Sequence, residues 1–188
     1  MPPTLLVFDL GEVLVDVDFG RFARAAAKLD PALDVPSIQA ACRGPAKAAL
    51  DRGQLSPRGF LRQLPTTADP DALLPLWTDI FTARPAAAAA LAALGDYERW
   101  MLSDTDPAHF LRVLNDHPYL RGFDRYLLSY DRGLLKGDAG SFDPLVAKLE
   151  EGARVLFWDD REDLVAAARS EGIDARLFTT WQAWEGVS

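Results

Sequence analysis

Four consecutive apolar residues, Leu5-Leu6-Val7-Phe8, end abruptly in Asp9, and Gly11 follows two positions later. A short unbroken apolar run of this kind suits a strand buried on both faces, as strands are in a parallel sheet. It predicts a carboxylate at the carboxyl end of a strand, the edge where open α/β sheets bind ligands. Asp9 is therefore a candidate nucleophile or metal ligand, with a helix N-cap or turn aspartate as the plain alternative. Gly11 is expected to let the backbone turn sharply.

The rest of the chain divides into two patterns. Val13 to Val17 alternates apolar with acidic residues and predicts a short flap folding back from the sheet. Asp18 then caps a helix with Phe19, Phe22, Ala26 and Leu29 on one face. From there to Leu94 the signals are helical. Val35 to Leu50 is interrupted at Gly44-Pro45, and Ser56-Pro57 precedes Phe60, Leu61 and Leu64. Asp69-Pro70 precedes Leu73, Leu74, Leu76, Trp77, Ile80 and Phe81, and Pro85 opens an alanine-rich run. A polar cap followed by proline at the first helical position is a helix start. A helical block of this length between strands reads as an inserted cap.

Beyond it, strand and helix alternate, which predicts a parallel sheet. The predicted strands are Arg99 to Ser103, Tyr126 to Ser129, Arg154 to Trp158 and Arg176 to Phe178. Helices are expected from Asp106-Pro107, from Asp143-Pro144 to Glu151 and from Glu162 to Glu171, with Trp181 and Trp184 in the tail. The expected fold is α/β, a Rossmann-like parallel sheet core (residues 1–16 and 95–188) with a helical cap (17–94) inserted after the first strand.

Composition narrows the partners. The 188 residues are 49% hydrophobic, enough for a sizeable core, and the net charge of -8, with no run of Lys or Arg longer than two, disfavours nucleic acid and anionic membranes. One cysteine, Cys42, allows no internal disulfide and suits a reducing compartment as a small buried side chain. No basic-then-apolar leader opens the chain and no apolar run reaches membrane-spanning length, so a cytoplasmic protein is expected. Nothing in the sequence points to an oligomeric state.

Three predicted strands end in reactive groups: Asp9, then Ser103-Asp104, then Asp159-Asp160. A loop after a further strand brings Lys136. Three carboxylates in one cleft repel one another unless a cation is shared among them, which predicts a hard divalent ion, magnesium (Mg2+) first. With that charge screened, Asp9 can attack phosphorus in line while Ser103 and loop amides hold the phosphate oxygens.

These residues resemble the haloacid dehalogenase-like hydrolases. Phe8-Asp9-Leu10-Gly11 with Val13 resembles their first motif and Leu102-Ser103-Asp104-Thr105 their second. Ser129 to Lys136, with Gly133 between, resembles the third, and Phe157-Trp158-Asp159-Asp160 the fourth. Within the family the resemblance is to bacterial phosphatases of glucose 1-phosphate and to the N-terminal phosphatase domain of soluble epoxide hydrolase. Arg52-Gly53-Gln54-Leu55-Ser56 and the Trp77 to Pro85 stretch carry that part of it. The resemblance implies Asp9 as nucleophile, with Asp9, Asp160, Asp159 and the Gly11 carbonyl around magnesium. It implies Ser103, Asp104 and Lys136 at the phosphate, and a small phosphorylated metabolite as substrate.

Gly11 stands where most phosphatases of this family carry a second aspartate that protonates the leaving oxygen. Such a group is typically worth about 10²–10⁴-fold in rate. Glu12 is the neighbouring candidate acid/base, with a solvated turn glutamate as the favoured alternative. Without an acid, esters whose leaving oxygen tolerates negative charge suffer least. Gly137 follows Lys136 where the family usually has proline. Asp163 is read as a first-turn helix residue, His109 and His117 as packing residues, and the cap aromatics Phe19, Phe22, Phe60, Trp77 and Phe81 as mostly core. Two other readings rank below the phosphatase: a non-enzymatic relative that binds a phosphorylated ligand or partner, then a metal-free 2-haloacid dehalogenase.

Overall fold

The computed structural model describes residues 2–30 and 33–182; Trp184 lies outside them. Five parallel strands form the central sheet in the order β5-β4-β1-β6-β7. They are β1 (Thr4–Phe8), β4 (Glu98–Ser103), β5 (Arg125–Leu128), β6 (Arg154–Asp159) and β7 (Asp174–Leu177). Side chains alternate between the two faces. Leu6, Phe8, Met101, Leu156 and Trp158 pack on one side with Leu91 and Val113, while Leu5, Val7, Trp100, Val155 and Phe157 pack on the other with Leu145 and Val165. The sheet is thus covered on both faces, which explains why its central strands read as unbroken apolar runs.

The register places the site. Phe8 pairs with Met101 on one side and with Trp158 on the other. One residue further, Asp9 stands level with the ends of β4 and β6, and its backbone N–H donates to Trp158 O at 2.9 Å. The chain builds outward from β1 to β4 and β5, then crosses to β6 and β7. Asp9 therefore sits where the strand order reverses, the position at which such sheets open a crevice.

Five helices follow β1 as a cap: α1 (Phe19–Leu29), α2 (Val35–Ala41), α3 (Pro45–Asp51), α4 (Pro57–Leu61) and α5 (Pro70–Thr78). Asp18, Ser56 and Asp69 each accept a backbone N–H in the first turn, as their sequence signals predict, and Asp34 does the same for α2. The cap has its own core of Phe22, Ile38, Leu50, Phe60, Leu73, Trp77 and Ile80. Each buried Leu, Ile or Phe there contributes about 1.5–3 kcal/mol. Cys42 is buried beside them, as expected. Helix α6 (Pro85–Ala93) packs instead with the sheet, through Ala87 and Leu91.

Several local expectations change. Phe81 is not helical: Phe81–Ala83 forms β3, antiparallel to β2 (Val15–Val17), and this pair is the flap. Three residues are too few for periodicity to tell a strand from the end of a helix. Leu29, placed on the buried face, is half exposed because α1 ends there. Ser129 does not end β5 but opens a single turn, α8 (Ser129–Arg132), closed by Gly133 at φ 71°. The last strand starts earlier than expected, at Asp174. The remaining helices, α7 (Pro107–Asp116), α9 (Asp143–Glu150) and α10 (Glu162–Ser170), run as predicted. No helix among the described residues is long and apolar enough to cross a membrane.

Candidate active site

A cavity of about 240 Å³ opens at the carboxyl edge of the sheet, lined by Asp9, Gly11, Glu12, Ser103, Asp104, Lys136 and Asp160 from the core side. Asp159 lies buried directly behind it. Lys136 is the organising cation: its Nζ stands 2.8 Å from Asp9 Oδ1 and 2.5 Å from Asp159 Oδ2. Asp9 Oδ1 also accepts the Leu10 N–H at 2.7 Å. Its Oδ2 has no hydrogen-bond partner among the described residues, and neither has the buried Ser103 hydroxyl. Asp104 accepts the Lys136 N–H at 2.8 Å, so its side chain anchors the lysine loop while Asp106 caps the following helix. Ser129 ties β5 to this edge by accepting from Thr105 N and donating to Thr105 O.

Charge at this edge is unbalanced. One ligand atom from each of Asp9, Asp159 and Asp160 lies within 4.8 Å of the others, against a single ammonium. Burial, with Asp159 adding to it against the pull of Lys136, pushes the Asp9 carboxyl up to about 7. Burial and the neighbouring Asp159 raise Asp160 too. For Lys136 burial works against the charged form, but Asp9, Asp159 and Asp104 around it hold the ammonium above its ordinary range. An oxygen-rich set short of positive charge fits a hard divalent cation, with Asp9, Asp159 and Asp160 as the carboxylates available to it.

No family model matches the chain. Among solved structures, a HAD family enzyme from Bacteroides thetaiotaomicron, in complex with magnesium and inorganic phosphate, superposes with a TM-score of 0.80 at 20% identity, over 97% of this chain and 98% of that one. A predicted HAD-like family hydrolase from Porphyromonas gingivalis gives 0.71 at 21% identity, over 94% and 91%. The L-2-haloacid dehalogenase of Xanthobacter autotrophicus, with chloropropionic acid covalently bound, gives 0.66 at 20% identity, over 92% and 76%. The fold is HAD-like.

Within this HAD-like fold Gly11 and Gly137 differ in what the backbone asks of them. The sharp turn after β1 is made by Glu12, at φ 56°, and Gly11 has an ordinary φ. A Cβ at Gly11 would meet Val17 Cγ2 at 3.3 Å and nothing else within 4 Å. Glu12 uses both carboxylate oxygens on the flap side, Oε1 accepting from Val17 N at 2.9 Å and Oε2 from Arg84 at 2.8 Å. Arg84 also reaches Asp16 and the Glu12 carbonyl, which locks the turn to β2 and β3. Gly137 has φ 91°, which proline, fixed near −65°, does not adopt. Asp163 is exposed in the first turn of α10, paired with Arg161, as expected.

The opposite wall comes from the flap and cap, with His109 of α7, and much of it escaped sequence reasoning. Phe19, Phe81, Lys47 and His109 line the same cavity, whereas Phe22, Phe60 and Trp77 are core. Lys47, on α3, is buried with its ammonium on both oxygens of Asp51, at 2.6 and 2.5 Å. The i,i+4 Lys-Asp pair in an otherwise apolar helix was the available signal. His109 stacks on Trp77 at 4.3 Å and has an acceptor at each ring nitrogen, Asp106 Oδ2 and the Trp77 carbonyl, both at 2.8 Å. Trp77 Nε1 donates to the same Asp106 oxygen, which joins the cap to the core. Burial alone would raise Asp106, but His109 and the N–H groups it caps hold it below the usual carboxylate range. His117 is also buried, as a packing residue.

Proposed function

We propose that this protein is a magnesium-dependent phosphatase of small phosphomonoesters that works through an aspartyl-phosphate intermediate. The observation that carries the reading is the state of Asp9: one oxygen is held by Leu10 N and Lys136, and the other has no partner among the described residues, in a cavity whose serine hydroxyl has none among them either. That is a nucleophile fixed in orientation beside an anion-binding group. Asp9 attacks phosphorus and the bond to the ester oxygen breaks. Water then attacks the acyl phosphate, returning the carboxylate and releasing inorganic phosphate. Ser103, Lys136 and the amides after β4 bind and orient the phosphate oxygens. A divalent cation held by the carboxylates would supply charge to bring a phosphate dianion beside them.

The chain has no aspartate at position 11, and the Glu12 carboxylate is engaged by the flap, so the leaving oxygen takes its proton from water. Turnover is then expected to favour esters of acidic alcohols or phenols. Dehalogenation is the second reading, favoured by the Xanthobacter neighbour and by Gly11, since attack on carbon needs no such acid. The cluster of three carboxylates weighs against it.

The test is phosphate release from a panel of sugar and aryl phosphates, with and without magnesium, for wild type and Asp9→Asn. Metal-dependent release that falls at least about 10³-fold in the variant supports the mechanism. Halide release from a 2-haloacid without metal supports dehalogenation. Magnesium binding with no turnover on any ester moves the reading to a phospho-ligand-binding relative.

A further inference from the structure

Each end of the cavity carries an ammonium, and the two are wired differently. Lys136 is outnumbered by carboxylates and belongs to the phosphate end. Lys47 faces the same space from the cap, with a single partner, Asp51. An ammonium offers three N–H donors, and Asp51 has two oxygens. No other acceptor among the described residues bonds to Lys47, which is only 8% exposed and stands over the Phe19 and Trp77 rings at 5.6 and 5.9 Å. The donor left over serves whatever fills the cavity. Asp9, Ser103 and Lys47 line one and the same cavity of about 240 Å³, so a ligand that fills it from Asp9 meets Lys47.

We propose that Lys47 selects the alcohol half of the ester, donating to a neutral oxygen such as a hydroxyl of a polyol-type leaving group. The proposal rests on the phosphatase reading above. The ion pair supplies a donor without net charge, and Asp51 lies close enough to Asp106 and Asp104 to be affected by their charge. A second anionic group placed at Lys47 would therefore also face the carboxylate that already matches the ammonium. A plain alkyl group would leave the Lys47 donor desolvated and unanswered. Sites built to bond a hydroxyl discriminate strongly against analogues that lack it, more strongly than apolar pockets discriminate by size.

The experiment compares kcat/KM for polyol monophosphates with kcat/KM for n-alkyl monophosphates of equal carbon number, in wild type and in Lys47→Met/Asp51→Leu. Both partners are replaced because a lone buried charge would destabilise the protein by itself. Lys47→Arg serves as a second variant that keeps a charged pair but moves its donors. Wild type is expected to prefer the polyol esters, and that preference is expected to fall tenfold or more in both variants, chiefly through KM. An equal change on both ester classes, or no change in the ratio, overturns the assignment. Wild type that releases phosphate without preferring polyol esters overturns it while sparing the phosphatase reading. Wild type that releases no phosphate from any ester overturns both.

Discussion

The two walls of the cavity are built on opposite electrostatic plans. At the sheet edge, three carboxylates stand near one ammonium, and Lys136 is shared by Asp9 and Asp159 with both side chains nearly sealed from water. Across the cavity, Lys47 meets Asp51 one to one, and His109 is enclosed by Asp106 and Trp77. The first arrangement is incomplete without further positive charge. The second is balanced in charge, with one Lys47 N–H still to place. One wall thus calls for a cation, while the other presents hydrogen-bonding groups with their charges already matched.

Lys136→Met should produce the largest contrast. Removing the shared cation leaves Asp9 and Asp159 buried and unpaired, and breaking a buried pair in this way costs about 3–5 kcal/mol. Denaturant unfolding in the presence of a chelator should register that loss, and phosphate release should disappear with it. Magnesium should raise the stability of wild type, since a ligand that binds only the folded state stabilises by mass action. No stabilisation by magnesium at any concentration would remove the basis for calling this wall incomplete.

The cap wall should behave differently under the same treatment. Lys47→Met alone leaves Asp51 stranded and should cost about 3 kcal/mol, the lower end of the range because one carboxylate rather than two loses its cation. Adding Asp51→Leu should recover most of that cost, because each member of the pair has the other as its only ion partner among the described residues. At the sheet edge no second substitution next to Lys136→Met is expected to give such a recovery, since two further carboxylates remain. A double-mutant cycle with the same coupling on both walls would erase the distinction.

This division also explains what was legible in the sequence. Asp9, Ser103 and Asp159 each end an apolar strand, so the run that buries the strand announces the residue at its tip. Parallel pairing then brings the three tips together, which made both the sheet and this half of the site readable. Lys136 was readable by its place after Ser129 and Gly133, although no strand carries it. Lys47 sits on a cap helix and His109 on a helix packed against the sheet, and helical period says which face is apolar but not what that face meets. The β3 strand was hidden for a related reason, since three residues gain strand character from β2 alone. The left-handed turn fell on Glu12 rather than Gly11 because the Arg84 contacts hold it there, and those contacts span the flap.

Gly11→Asp probes the missing acid directly. The backbone there has an ordinary φ and the new Cβ meets one methyl, so the side chain is accommodated by a small shift of Val17. Release from esters of ordinary alcohols should rise by about 10²-fold, the lower bound for a positioned acid and equivalent to about 2.7 kcal/mol of barrier. Aryl esters, whose leaving oxygen needs no proton, should change by less than about threefold on the same reasoning. A uniform rise, or none, would mean that protonation is not what limits the wild type.

Glu12→Gln should have the smallest effect of all. Its ion pair with Arg84 is partly exposed, with 44% of the glutamate side chain open to solvent, and such pairs contribute about 0.2–1 kcal/mol. Arg84 keeps Asp16 and the Glu12 carbonyl, so the turn stays anchored to the flap. Phosphate release should stay within about threefold of wild type, because the carboxylate is committed to Val17 N and Arg84 rather than to a leaving oxygen. The discriminating readout is again the leaving-group series. A loss of about 10²-fold confined to esters of ordinary alcohols would make Glu12 the acid that Gly11 lacks, released from the flap during turnover. The sheet-edge wall would then supply its own proton donor, and Gly11→Asp would add nothing to it.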